Sequence, residues 1–361
     1  MDKKIEDLRK EIDKIDEEIL NLLNKRAELA KEIGDIKKKE GREIHVPERE
    51  RKIFERLSKI NKEKHGEVFP TEAIFHIYRE IISACLSLEK PLKVVYLGPK
   101  ATFTHQAALE YFGFSAQYIS CSTIRDVFLE VESGRADYGI VPVENTIEGI
   151  VNYTLDMFLE SELLISGEVI LPINLHLLST EENLKDIKKI YSHRHAIGQS
   201  RNWIEKNAPH VQIVEVDSTA KACEIALEES GVGAIASEVA SYTYHLNILA
   251  RNIQDGGSNY TRFLVISKRD VKPTGNDKTS LLFAVRDEVG ALYKALESFY
   301  KYGINLTKIE SRPSKRKIWD YVFFVDLEGH REEEAVKKAI EELKKRSQMI
   351  KILGSYPKAI L

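Results

Sequence analysis

Six charged residues interrupt apolar helical seams in the first 90 positions, and their types suit the capture of a dianion. Arg9 lies four after Ile5, Arg26 fills the gap between Leu22 and Leu29, and Lys37 lies four after Ile33. Arg49 and Glu50 precede Ile53 by four and three, and Glu89 lies four after Cys85. Taken singly, each reads as a snorkelling side chain or a register-setting polar position. Taken together they ask for anionic partners, because a buried cation without one is costly. Arg26 and Lys37 are eleven residues apart. On a helix that is about 20° of rotation and roughly 16 Å of rise, so they share a face. Arg9 precedes Arg26 by seventeen residues, which places it roughly 25 Å away and about 100° round. If it acts on the same ligand it must come from a second chain, and an intertwined dimer would supply it.

A second set of polar residues sits at strand-to-helix loops. Gly98-Pro99 leads to Thr102-Phe103-Thr104-His105, the run Tyr138–Val143 leads to Glu144-Asn145-Thr146, and Val211–Val216 leads to Asp217-Ser218-Thr219. Helix N-termini offer free N–H groups and a positive dipole end to anions. A single Thr or Ser there is most simply an N-cap. Three such loops, with an isolated Asn259-Tyr260-Thr261-Arg262-Phe263, point to a cleft for a carboxylate. The three cysteines, Cys85, Cys121 and Cys223, are far apart and form no CxxC or Cys/His cluster. Neither disulfides nor a zinc site is expected.

The elements that must position these residues change character twice along the 361 residues. Residues 1–90 read as long Lys/Glu-rich helices, all-α. Residues 92–271 alternate strands, loops and helices and read as α/β, with ligands at the C-terminal ends of strands. Residues 279–361 follow a βαββαβ order and read as an α+β ferredoxin-like module, with a strand expected from Trp319 to Leu327. Hydrophobic residues make up 43% and charged residues 31%, with a formal net charge of -3. That balance supplies full cores and gives bulk electrostatics no means of recruiting nucleic acid or a membrane surface. The N-terminal stretch lacks an apolar run that could target it, and nothing reaches membrane-spanning length, so a cytoplasmic location is expected.

Three resemblances sharpen the expectation. Arg9, Arg26, Lys37 and Arg49-Glu50 resemble the active-site pattern of the all-helical chorismate mutases. The resemblance implies that Arg9, Arg26 and Arg49 hold the carboxylates of chorismate, that Lys37 and Glu89 meet its ether oxygen, and that Glu50 meets the ring hydroxyl. Val46 stands where relatives often carry Asp, Glu89 where some carry Gln, and Cys85 where they carry Ser. Gly98-Pro99 with Thr102-Phe103-Thr104, Val141-Pro142-Val143-Glu144-Asn145-Thr146, Ser218-Thr219-Ala220 and Thr261-Arg262-Phe263 resemble prephenate dehydratases. That family implies two lobes like small-molecule binding proteins with the site between them. It makes Thr261 the leading catalytic residue, with Glu144 as a proton supplier and Thr102, Thr104, Asn145, Thr146, Ser218, Thr219 and Arg262 around the substrate. Ser192-His193-Arg194-His195 departs from the pattern, and His195 reads as a surface loop residue. Gly290-Ala291-Leu292 and Glu310-Ser311-Arg312-Pro313 resemble the phenylalanine-sensing motifs of ACT domains. There Arg312 or nearby backbone would meet an amino acid's carboxylate.

The combined resemblance implies a bifunctional enzyme: chorismate to prephenate, then prephenate to phenylpyruvate, with feedback inhibition by L-phenylalanine. A homodimer or higher homo-oligomer would share the mutase sites, and no metal, nucleotide or redox cofactor is called for. Two other readings compete. One is a monofunctional dehydratase whose helical arm only oligomerises. The other is a non-catalytic small-anion sensor.

Overall fold

The computed structural model describes residues 2–313 and 321–359. Trp319, expected to open a strand, lies outside the described residues. The chain divides into two units. The first runs to Lys93 and includes Tyr111–Gln117; the second holds the remainder.

The first unit is built on α1 (Asp2–Glu40), α2 (Pro47–His65) and α3 (Thr71–Glu89). α1 is rich in straight-chain helix formers and ends at Gly41, whose φ of +65° suits glycine. Pro47 opens α2, and the left-handed Gly66 closes it with its N–H donating to the Asn61 carbonyl. The Asn61 amide then ties the turn, donating to the Phe69 carbonyl at 2.8 Å and to Thr71 Oγ1 at 3.0 Å. Phe54, Ile82 and Cys85 are buried, and Phe54 packs edge-on to Phe75 at 5.5 Å. Among the described residues, nothing covers the α1 seam. Ile5, Leu8, Ile12, Ile15 and Ile19 are all about half exposed. Length explains this: α1 has 39 residues against 19 in each of α2 and α3, so at 1.5 Å per residue it outruns the hairpin by about 30 Å.

The second unit begins with β1 (Lys93–Leu97), α4 (Phe103–Phe112), β2 (Gln117–Cys121), α5 (Ile124–Glu132), β3 (Tyr138–Asn145), β4 (Gly149–Ile150), α6 (Asn152–Glu160) and β5 (Leu164–Pro172). Then come β6 (His176–Ser179), β7 (Lys189–Ser192), α7 (Arg194–Gln199), α8 (Arg201–Asn207), β8 (Gln212–Glu215), α9 (Thr219–Glu228), β9 (Val232–Ala236), α10 (Glu238–Tyr244), β10 (Asn247–Ala250) and β11 (Tyr260–Ser267). They form two sheets, hence two lobes. One is ordered β2-β1-β3-β11-β5 with β4 on β3, and the other β10-β6-β9-β7-β8. β5 leads into the second lobe and β11 returns from it, pairing antiparallel with both β3 and β5.

The C-terminal part comprises β12 (Asp277–Ala284), α11 (Ala291–Tyr300), β13 (Leu306–Pro313), β14 (Tyr321–Glu328), α12 (Glu334–Arg346) and β15 (Met349–Pro357). Its sheet order, β13-β14-β12-β15, is ferredoxin-like. The period of two divides its faces. Leu281, Phe283, Val325 and Leu327 meet the helices α11 and α12. Leu282, Val322, Phe324, Leu353 and Tyr356 join one core with Phe128, Val141, Phe158 and Leu264 of the first lobe. Gly354 is required at this contact, because a Cβ there would collide with the Ile165 carbonyl.

Candidate active sites

In the helical unit, the fold brings together four of the residues singled out from sequence. Arg26 Nη1 lies 2.7 Å from Cys85 Sγ, and Lys37 Nζ lies 3.1 Å from Glu89 Oε2. Lys37 also donates to the Ile44 carbonyl at 2.8 Å, which fixes the ammonium at the end of α1. Gly34 permits this approach of α1 to α3, since a Cβ at 34 would stand 2.7 Å from Glu89 Cγ. Glu50 is buried and engaged at both oxygens, by His45 Nε2 at 3.1 Å and Arg79 Nη1 at 2.9 Å. Burial alone would raise its pKa, but His45 and Arg79 outweigh burial and hold it below the usual range. Arg79 is itself held over the Phe54 ring at 4.8 Å. Arg9 and Arg49 are exposed, and Arg9 meets only Glu6 at 3.8 Å among the described ion pairs. Within one chain the structure does not bring Arg9 to Arg26, because α1 is a single unbroken helix. Gly34, His45 and Arg79 were missed from sequence; Arg79 lies four after Phe75 and reads there as another solvated cation.

In the two-lobed part, the centre is the pairing of Thr261 with Asn145 across β11 and β3. Asn145 Nδ2 lies 2.8 Å from Thr261 Oγ1 and 2.8 Å from Asn259 Oδ1. Asn145 Oδ1 accepts from the N–H groups of Ile147 and Glu148, at 2.8 and 2.9 Å, and so shapes its own loop. Thr146 Oγ1 accepts from Tyr260 N–H at 3.0 Å, closing the loop on β11. From the second lobe Gln199 reaches Asn259 at 3.2 Å, and His195 Nδ1 meets Glu148 Oε1 at 2.6 Å. Two contacts thus join the lobes beside Thr261. His195 remains 44% exposed, so it lies at the surface as expected, but in the helix α7 rather than a loop, and it spans the cleft. Asn259 and Gln199 complete the set. Gln199 had no signal in the sequence beyond following Ser192 by seven residues.

The other loops are arranged as their N-cap chemistry dictates. Ser218 Oγ accepts from Lys221 N–H at 3.0 Å and caps α9, which Thr219 starts. Thr102 Oγ1 donates to the Pro99 carbonyl at 3.0 Å and receives the His105 N–H at 3.4 Å, while Thr104 is buried. His105 is pushed down to about 4 by burial and by Lys100, so it is neutral at ordinary pH. Its Nδ1 accepts from Ala101 N–H, and its ring stacks on Tyr96. Among the described residues, no group of three His, Cys, Asp or Glu side chains could hold a metal ion.

Comparison with known proteins identifies these parts. Residues 8–90 match chorismate mutase type II, 94–271 match prephenate dehydratase, and 279–345 match the ACT domain. A bifunctional chorismate mutase/prephenate dehydratase of Aquifex aeolicus is 72% identical over 357 residues, covering 99% of each chain. The chain belongs to the bifunctional chorismate mutase/prephenate dehydratase family. Its counterpart in Escherichia coli K12 is 32% identical, covering 97% of this chain and 95% of that one. Among solved structures, a prephenate dehydratase from Arthrobacter aurescens in complex with L-Phe is 34% identical with a TM-score of 0.68, over 74% of this chain and 90% of that one. A protein described as a novel type of quorum quenching acylase, GqqA, is 30% identical with a TM-score of 0.69, over 74% and 97%. The mutase match along residues 8–90 sets aside the arm that only oligomerises. The full-length likeness to bifunctional enzymes sets aside the non-catalytic sensor.

Two expectations for the dehydratase domain change with the register. Arg262 pairs with Glu144 in the ladder, one position along from Thr261 and Asn145. Successive strand residues point to opposite faces. Arg262 and Glu144 therefore face the ACT sheet, away from the Thr261 hydroxyl. Glu144 is bound by Arg262 at 2.9 Å and by Lys308 at 2.6 Å. Burial raises its pKa, but Lys308 and then Arg262 outweigh that and keep it ionised. Glu144 is thus on the wrong face and in the wrong protonation state to supply a proton. Arg262 is likewise no substrate ligand: it is buried among Glu144, Glu168, Asp326 and Tyr356.

The same alternation corrects the ACT domain. Ser311 pairs with Phe323 and Arg312 with Val322, so Ser311 shares the helix-bearing face and Arg312 the dehydratase face. Arg312 is bound to Asp156 of α6 at 3.0 Å and does not face an effector beside α11. Gly290, at φ +77°, is the N-cap of α11 ahead of Ala291 and Leu292, with no described atom within 4 Å of where a Cβ would stand. Glu310 lies on the Arg312 face opposite Phe324, and Pro313 ends the strand.

Proposed function

We propose that the helical unit rearranges chorismate to prephenate and that the two-lobed domain converts prephenate to phenylpyruvate, in the biosynthesis of phenylalanine in the cytoplasm. The rearrangement needs no nucleophile. It needs a dianion folded into a chair and a donor at the ether oxygen, where charge grows. Lys37 is that donor, oriented by Glu89 at 3.1 Å. Arg26, beside Cys85, binds one carboxylate as a planar fork. Arg49 and the partner copy's equivalent of Arg9 complete the site, and Glu50 meets the ring hydroxyl. A homodimer paired along α1 would bring Arg9 in and cover the exposed apolar stripe.

In the dehydratase step the ring carboxylate leaves as CO2. Its C–C electron pair completes the aromatic ring as the hydroxyl departs, taking up a proton from solvent to form water. Thr261 donates a hydrogen bond to that hydroxyl. Asn145, held by Asn259, orients it, and the loops at Thr102, Thr104, Thr146, Ser218 and Thr219 bind carboxylates. The observation that carries this reading is the 2.8 Å bond between Thr261 and Asn145 at the mouth between the lobes. L-phenylalanine would bind the ACT domain at Gly290-Ala291-Leu292, with backbone and Ser311 from the Glu310–Pro313 strand.

Lys37→Ala should abolish the rearrangement and leave dehydration of supplied prephenate intact. Thr261→Val should lower dehydration by about 100-fold or more, the usual cost of one transition-state donor, and leave the rearrangement intact. Loss of both activities from either change in a folded chain would overturn the assignment.

A further inference from the structure

The Thr261–Asn145 pair is gripped from behind. Each of the two residues has a strand neighbour that points through the sheet into the ACT domain. Next to Asn145, Glu144 is bound by Lys308 of β13 at 2.6 Å. Next to Thr261, Arg262 is bound by Asp326 of β14 at 2.6 Å and by the Tyr356 hydroxyl of β15 at 2.9 Å. Ser280 and Tyr356 of the ACT sheet also bond each other. From the dehydratase side, Glu168 of β5 binds Arg262 at 2.8 Å and Lys278 at 2.9 Å. Every ACT strand touches this network.

We propose that Lys308 and Asp326 are positioning residues for the dehydratase reaction, and that the ACT domain acts on the site through them. The two contacts set where Glu144 and Arg262 lie, and the strand backbone carries that placement one residue on, to Asn145 and Thr261. The network is ionic and buried, so it holds one geometry tightly; Arg262 is 8% exposed and Asp326 7%. Its charges are secured. Asp326 would be raised by burial, but Arg262 and the Ser280 hydroxyl outweigh that and keep it ionised. The surrounding packing is not complete. A cavity of about 20 Å³ lies between the sheets, lined by Arg262, Lys308, Asp326, Leu264 and Phe324. A displacement of β13 or β14 by an effector would reach the catalytic pair through these two bonds. The same architecture explains why Lys308 and Arg312, four residues apart on one face of one strand, both bind first-lobe carboxylates.

The inference rests on Thr261 and Asn145 belonging to the dehydratase site, and the experiment keeps the two apart. Lys308→Met, Lys308→Arg, Asp326→Asn and Thr261→Val are made in the full chain. Each is assayed for dehydration of prephenate, for chorismate rearrangement and for melting temperature. Lys308→Met should lower dehydratase kcat by about tenfold, on the scale of a sub-ångström misplacement. KM should change less than kcat, rearrangement should be unchanged, and Lys308→Arg should restore most of the loss. Asp326→Asn should show the same split between kcat and KM. Parental kcat in Lys308→Met would overturn the proposal. So would a fall shared equally by both reactions, a fall confined to KM, or no rescue by arginine. Parental dehydration in Thr261→Val would instead overturn the site assignment, and the positioning role with it.

Discussion

Gly34→Ala tests whether the approach of α1 to α3 builds the mutase site. The added methyl would stand 2.7 Å from Glu89 Cγ, 2.9 Å from its Cβ and 3.3 Å from its Cα. Ordinary carbon contacts begin near about 3.5 Å, so a displacement of nearly 1 Å is forced. Rotating the end of a side chain cannot provide it, because the nearest atoms lie at the root of Glu89. The end of α3 must move away, and with it the carboxylate 3.1 Å from Lys37. Two stability effects oppose each other. Alanine in a helix interior gains up to about 1 kcal/mol over glycine, while overpacking costs typically about 1–3 kcal/mol. The net is a modest loss. Function should suffer more, since an error of about 1 Å in positioning can cost about 100-fold in rate. The assay is the loss of chorismate at saturation, with dehydration of added prephenate in the same preparation as control. The expected result is a large fall in mutase kcat and an unchanged dehydratase. Mutase turnover within about twofold of the parent, with a raised melting temperature, would show that Glu89 is free to move and does not shape the site.

Two further outcomes follow from the geometry. Mixing Arg9→Ala chains with Lys37→Ala chains should recover about a quarter of parental mutase activity after subunit exchange, because half the dimers would then hold one intact site of two; no recovery would place Arg9 outside a shared site. Acid should loosen the junction between the dehydratase and ACT domains. Asp326 and Glu144 both have folded-state values depressed below their usual ones, so their stabilisation is present above the unfolded carboxylate range near about 4 and is lost as pH falls through the folded values. Melting of the parent should therefore drop steeply between about pH 5 and pH 3, and Asp326→Asn, with less to lose, should show a shallower drop; parallel curves would remove Asp326 from the acid response.

The sequence alone determined the identity of the parts. Local chemistry is legible in it: apolar spacing of three and four gave α1 to α3, Gly41 and Pro47 punctuated them, and hydroxyls marked the helix starts where Ser218 and Thr102 are found. The motifs around Thr261 and Lys37 carried the function, because a reaction that needs an ordered set of side chains leaves that set in the chain. What the sequence left undecided was the direction in which each residue points. Thr261 and Arg262 are neighbours in one motif, as are Asn145 and Glu144, and all four read as residues of one site, Glu144 as its proton supplier. Only the strand register shows that one of each pair faces the cleft and the other the ACT sheet. Arg312 and Ser311 part in the same way. Partners from distant positions were equally invisible. Lys308 is 164 residues from the Glu144 it binds, and Gly34 acquires its role from the close approach of Glu89 in another helix. A side chain's type is a local property, but its charge state and its contacts belong to whatever the fold packs against it, and that is settled only when the sheets and helices meet.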